Sequence, residues 1–259
     1  MLLRIVVSMA IAYAAIAVCV WLLADRMIFL PPSPQYRDDA GIVKLRTADG
    51  QRISALYLPN ADARYTIIYG HGNAEDLGVV RPALPVLRDL GFAVLAYDYR
   101  GYGTSEGRPS ERAAYQDIDA AYDYLTRDRG VPAERIIAYG RSVGGGAAVD
   151  LAARRTVGGL IVESGFVTAF RVMTDFPLLP FDKFRNIDKI GRVRAPILVM
   201  HGLADSIVRP WHGRTLFELA SEPKQALWVE GAGHNDFMWV AGERYARALR
   251  EFAERLRGR

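Results

Sequence analysis

Gly140-Arg141-Ser142-Val143-Gly144-Gly145 is the stretch on which the reading of this chain turns. Arg135–Tyr139 before it is apolar and β-branched, the pattern of a buried strand. Ser142–Arg154 after it is rich in alanine and glycine, the pattern of a closely packed helix. A Gly-x-Ser-x-Gly turn between a strand and a helix is a nucleophile elbow. The turn is so tight that the serine is strained, and side chains two residues before or after it would collide with neighbouring elements. Composition alone yields such a pentapeptide in roughly one chain in ten of this length, so the flanking strand and helix carry the signal.

A serine hydroxyl is a weak nucleophile until a base takes its proton. Where such an elbow ends a sheet strand, the partners follow in the order serine, acid, histidine. Glu230-Gly231-Ala232-Gly233-His234-Asn235-Asp236 is a glycine-rich loop after the last strand pattern, and His234 is the candidate base. Pro196–Met200 leads into His201-Gly202-Leu203-Ala204-Asp205, which puts Asp205 just beyond a strand end as the candidate acid. Asp98 precedes the elbow, the wrong chain order, and reads as a pin for the Arg100-Gly101-Tyr102-Gly103 loop. Asp236 lies too near His234 in sequence to orient it. A tetrahedral oxyanion needs two backbone N–H donors. Val143, after the serine, is one candidate; Asn73, in the loop His71-Gly72-Asn73-Ala74 after an early strand, is the other. His71 reads as a brace for that tight turn.

Outside these loops the pattern alternates. Ile42–Arg46 and Arg52–Leu58 flank Asp49-Gly50, a hairpin signal. Strand patterns recur at Tyr65–Tyr69, Phe92–Tyr97, Leu160–Glu163 and Gln225–Val229. Helical periodicity covers Ala74–Leu90, Ser110–Arg127, Pro210–Ala220 and Phe237–Leu256. A hairpin followed by repeated strand–helix units predicts an α/β fold: a mostly parallel eight-stranded sheet with helices on both faces. Phe166–Arg194 is longer than an ordinary connection. It reads as a lid whose Phe166, Phe170, Met173, Phe176, Leu178, Leu179, Phe181 and Phe184 either line an acyl pocket or pack the lid onto the body.

Taken together, six segments resemble one branch of the α/β-hydrolase superfamily, the N-terminally anchored abhydrolase-domain serine hydrolases. They are His71-Gly72-Asn73-Ala74-Glu75-Asp76, Tyr97-Asp98-Tyr99-Arg100-Gly101-Tyr102-Gly103, the elbow, His201-Gly202 with Asp205, Trp211-His212-Gly213 and Gly233-His234-Asn235-Asp236. Members look like relatives of palmitoyl-protein thioesterases and of the catalytic domain of prolyl oligopeptidases. The resemblance runs from about Phe29 to the C-terminus and implies the α/β-hydrolase fold with Ser142, Asp205 and His234 as triad. Two positions depart from the branch: Val143 stands where leucine is usual, and Arg209 where proline is usual, which bears on the shape of the acid loop.

At the other end of the chain, Ile5–Ala24 is uncharged and long enough to cross a bilayer's hydrocarbon core. Arg4 precedes it, Asp25 and Arg26 end it, and Trp21 lies near its far end. It is longer than the apolar stretch of a cleaved signal, and its late small-x-small triplet, Ala15-Ile16-Ala17, is internal. Residues 1–28 therefore read as an uncleaved single-pass anchor and flank. Residues 29–40, with Pro31-Pro32-Ser33-Pro34, read as a stiff spacer, and 41–259 as the hydrolase domain with its lid at about 166–194. Arginine and lysine counts on the two sides are nearly balanced and assign no membrane side.

The chain has 259 residues and a formal net charge of +4. Much of the excess lies in Arg244, Arg247, Arg250, Arg255, Arg257 and Arg259, interleaved with Glu243, Glu251 and Glu254 as on a solvated helix face. No basic–aromatic stripe points to nucleic acid. One cysteine, Cys19, closes no internal disulfide, and His71, His201, His212 and His234 lack the spacing of a metal site. No cofactor or metal is expected. The expectation is an esterase or thioesterase acting on an acylated or lipid-like substrate through an acyl-serine. A serine peptidase for small peptides and a non-catalytic anchored binding protein stand as alternatives.

Overall fold

The computed structural model describes residues 1–257, and Arg259 of the basic tail lies outside them. Helix α1 (Leu2–Ile28) precedes the hairpin β1 (Ile42–Arg46) and β2 (Arg52–Leu58). The body continues as β3 (Thr66–Gly70), α2 (Leu77–Val80), α3 (Leu84–Asp89), β4 (Ala93–Tyr97), α4 (Glu111–Asp123), β5 (Ile136–Arg141) and α5 (Val143–Arg154). It closes with β6 (Gly159–Glu163), β7 (Ile197–Gly202), α6 (Pro210–Leu219), β8 (Lys224–Val229), α7 (Phe237–Ala241) and α8 (Glu243–Leu256). The eight strands lie in the order β1-β2-β4-β3-β5-β6-β7-β8. β2 runs antiparallel to both neighbours and all other pairs are parallel. This is the mostly parallel eight-stranded sheet that the strand patterns predict, and the α/β-hydrolase fold that the resemblance implies.

Strand residues alternate between two apolar layers, as the pleat requires. Ile68 and Ala138 face a layer built with Ile118 of α4, Ala147 and Leu151 of α5 and Leu216 of α6. Ile67, Tyr69 and Tyr139 face the other layer, with Leu77 of α2, Leu84 of α3 and Tyr245, Leu249 and Phe252 of α8. Of the basic side chains on α8 and at its C-cap, Arg250 pairs with Glu243 and Arg257 with Glu254.

Two predicted helices are interrupted. Ala74–Leu90 becomes α2 and α3 because Pro82 and Pro85 cannot donate backbone hydrogen bonds in a helix interior. The closing helix divides at Gly242, whose φ of +51° suits glycine. Between β6 and β7 the chain has only short turns at Phe170–Val172, Asn186–Asp188 and Ile190–Arg192. Its aromatic residues divide by role: Phe166 and Phe184 are buried in the core, Phe170 stacks edge-on against Phe181, and Phe176 is exposed.

Residues 29–40 are fastened along the body. Phe29 is buried against Tyr99, Tyr102 and Phe184. Gln35 N–H donates to Asp76 (2.7 Å), Tyr36 Oη donates to Asp98 (2.6 Å), and Arg81 pairs with Asp39 (2.7 Å). α1 itself is 27 residues of mostly exposed apolar side chains, long and apolar enough to cross a membrane, and it buries only Ala17 and Ala24.

Candidate active site

β5 ends at Arg141 and α5 begins at Val143, leaving Ser142 alone in the turn with φ +53° and ψ −118°. The flanking glycines are required by backbone contact. A Cβ on Gly140 would lie 2.3 Å from the carbonyl oxygen of Gly144, and one on Gly144 would lie 2.2 Å from that of Gly70. Glu163 at the end of β6 accepts the Ser142 N–H (2.9 Å) through its backbone carbonyl and fixes the turn.

The three residues expected from chain order lie together at the carboxyl edge of the sheet. Ser142 Oγ and His234 Nε2 are 3.0 Å apart, and His234 Nδ1 is 2.7 Å from Asp205 Oδ2. The other carboxylate oxygen of Asp205 accepts the N–H groups of Ile207 (2.9 Å) and Val208 (2.8 Å), which leaves Oδ2 turned to the imidazole. Burial works against ionisation of Asp205. The histidines His201 and His234 and the Val208 N–H outweigh it and hold the carboxyl well below the usual carboxylate range. Asp236, the rival acid, instead accepts Gly233 N–H (2.7 Å) and closes the histidine loop.

The candidate oxyanion donors, Asn73 and Val143, border the same cleft as Ser142. Val143 N–H at the start of α5 and Asn73 N–H in the loop after β3 have no acceptor among the described residues. His71 braces this loop, as its place before the turn suggests: Nδ1 meets Gly72 O (2.8 Å) and Nε2 meets Asp98 (3.1 Å). Burial opposes its charge, but Asp98 and the Gly72 carbonyl raise its pKa above the ordinary value. Asp98 also accepts Leu77 N–H and Tyr36 Oη, so it ties the loop after β3 to α2 and to residues 29–40; the Arg100-Gly101-Tyr102-Gly103 loop expected of it is held instead by Asp117, which accepts the Arg100 N–H (2.9 Å) and Nε–H (2.9 Å).

Three contributors escaped the reading of the sequence. Arg141, the variable position of the elbow, donates to Glu75 (2.6 Å), to the His234 carbonyl (3.0 Å) and to Asn235 Oδ1 (2.9 Å). Glu75 in turn accepts Gly72 N–H (2.8 Å), so one guanidinium links the elbow, the oxyanion loop and the histidine loop. Burial disfavours the Arg141 charge, and the carboxylates of Glu75 and Glu163 more than restore it. His201 at the end of β7 is fully buried, and its Nε2–H donates to Val208 O (2.7 Å), clamping the acid loop. An arginine inside Gly-x-Ser-x-Gly was the one visible signal, because a buried guanidinium demands acceptors.

Ser142 and His234 open onto a cleft of about 960 Å³, near the upper end of small-ligand pockets. Its walls are largely apolar, from Phe170, Met173, Leu179 and Phe181 of the 166–194 segment on one side and from α1 on the other.

Comparison with known proteins bears on the family and the fold. A family model described as serine aminopeptidase, S33 (Hydrolase_4), matches residues 61–179, which include the elbow. The chain is 37% identical to alpha/beta hydrolase domain-containing protein 17B of Xenopus tropicalis, over 84% of this chain and 86% of that protein. It is 36% identical to the human protein 17B over the same shares, and 40% identical to protein 17C of Mus musculus over 80% of this chain and 65% of that protein. Among solved structures, an esterase of Pyrococcus furiosus superposes with a TM-score of 0.74 at 19% identity, over 88% of this chain and 97% of that one. A monoacylglycerol lipase of Paleococcus ferrophilus gives 0.62 at 22%, over 77% and 97%. With these relatives and this fold, the chain belongs to the alpha/beta hydrolase domain-containing protein 17 family and is a serine hydrolase.

Proposed function

We propose that this hydrolase cleaves carboxylic ester or thioester bonds of acylated or lipid-like substrates through an acyl-serine intermediate, with Ser142, His234 and Asp205 as its triad. The observation that carries this reading is the unbroken relay of 3.0 Å and 2.7 Å from Ser142 through His234 to Asp205, opening on an apolar cleft.

Ser142 Oγ attacks the acyl carbon while His234 Nε2 takes its proton. Asp205 accepts the Nδ1–H, keeps the imidazole in the productive tautomer and stabilises the imidazolium. The N–H groups of Asn73 and Val143 receive the oxyanion. Collapse of the tetrahedral intermediate expels the alcohol or thiol, which leaves with the proton from His234. Water then attacks the acyl-serine with His234 as base, releasing the carboxylic acid and restoring the Ser142 hydroxyl. Residues 1–28 serve as the membrane anchor and 29–40 as the strap joining it to the catalytic domain, 41–259, whose lid is 166–194.

The family model's description keeps a peptidase reading in view. An aminopeptidase needs a free anion for the substrate's ammonium group. Asp182, the acidic residue lining the cleft, accepts the N–H groups of Phe170 (2.9 Å) and Lys183 (2.7 Å) on Oδ1 alone, which leaves Oδ2 to meet such a group, so the choice falls to the substrates. A panel of matched ester, thioester and aminoacyl-amide substrates separates the readings. Turnover of the ester and thioester well above the amide is expected, and preference for the amide would reverse the assignment.

A further inference from the structure

α1 does more than precede the body. Its exit is clamped: Phe29 is buried among Tyr99, Tyr102 and Phe184, with ring centroids 6.3, 6.4 and 5.8 Å away. The side chain of Asn73 accepts Leu30 N–H (3.0 Å) and donates to the Ile28 carbonyl. Far back along the helix, Tyr13 Oη donates to the carbonyl of Leu178 in the 166–194 segment (2.9 Å). Held at both places, α1 turns Tyr13, Ile16, Val20 and Met27 into the cleft that ends at Ser142. These positions recur at helical spacing and define one stripe. From Tyr13 to Met27 the stripe is about 21 Å long at the rise of an α-helix. Apart from Tyr13 it offers only apolar groups. Facing it are Phe170, Met173, Leu178 and Leu179. Such a slot, long, apolar and ending at the serine, suits a linear acyl chain and offers little to a polar one.

We infer that the inward stripe of α1 is a wall of the acyl-chain site, so that a long acyl group lies between α1 and the lid and the helix sets the chain length accepted. This rests on the ester-hydrolase reading above and adds to it a subsite formed by the apolar N-terminal helix itself.

The test uses the full chain in detergent micelles, with p-nitrophenyl butyrate and p-nitrophenyl palmitate as probes. Val20→Trp and, independently, Ile16→Trp fill the slot. Leu22→Trp adds the same bulk to a position 65% exposed, away from the cleft. The expected result is a fall of about 10-fold or more in kcat/KM for palmitate with Val20→Trp and Ile16→Trp. Butyrate should stay within twofold, and Leu22→Trp should match the wild type on both. Equal palmitate rates in wild type and both slot variants, or equal losses on both esters, would overturn the wall. A wild type that turns over neither ester would instead strike at the ester-hydrolase reading, and the inference would fall with it.

Discussion

Arg141 shows how many loops of the site one side chain can organise. Its guanidinium reaches Glu75, the His234 carbonyl and Asn235 from inside the elbow. Arg141→Ala should leave Ser142 in its turn but loosen the imidazole and the oxyanion loop. A displacement of this kind costs about 100-fold in rate, read as lower kcat with KM near its original value. Arg141→Lys should recover only part of the loss, because an ammonium can pair with Glu75 but cannot fork to the histidine loop. Equal effects on kcat and KM, or full rescue by lysine, would contradict this positioning role.

His212 makes a separate prediction at the same scale. It is buried beside Trp211, and its Nδ1 accepts Val167 N–H (3.3 Å). Burial, with the nearby His201 and Arg171, lowers its pKa to about 4. Between that value and the usual 6.5 the unfolded chain binds a proton that the folded chain refuses, so stability falls as the pH falls. From pH 7.5 to 5 the loss attributable to His212 is about 2 kcal/mol. Denaturant unfolding at both pH values should show a slope shallower by about that amount for His212→Asn, and an unchanged slope would reject the assignment.

Among the elements, those set by local pattern were legible and those set by packing were not. The elbow, the acid loop and the histidine loop each follow a strand whose apolar run is unmistakable, so Ser142, Asp205 and His234 could be picked out by chain order alone. The length of Ala74–Leu90 was misread because its apolar spacing persists across Pro82 and Pro85, which break the hydrogen bonding without disturbing the pattern. Residues 29–40 carry proline signals for extension but none for attachment. Attachment depends on Phe29, Gln35, Tyr36 and Asp39 finding partners distant in sequence. Phe29→Ala should therefore destabilise the body by about 3 kcal/mol, the ordinary cost of emptying a buried phenylalanine site. A thermal or denaturant midpoint equal to that of the wild type would show that the strap is not anchored there.

For the molecule as a whole, the sheet brings residues 73, 142, 205 and 234 to one edge because every parallel strand ends on the same side. That convergence was readable from the alternation of strands and helices. The cleft was not, since its walls come from a segment with little regular structure and from a helix whose sequence speaks only of length and apolarity. Its substrate-facing stripe differs in composition little from its exposed faces, and only the fold distinguishes them.

The most direct test of the proposed triad is labelling with a fluorophosphonate, which phosphonylates only an activated serine. Intact mass and peptide mapping of the full chain in detergent should give a single adduct on Ser142. Ser142→Ala should give none, and His234→Ala should label far more slowly. An unlabelled, folded wild type, or an adduct on another residue, would contradict the assignment of Ser142 as the nucleophile and bring the binding-protein reading forward.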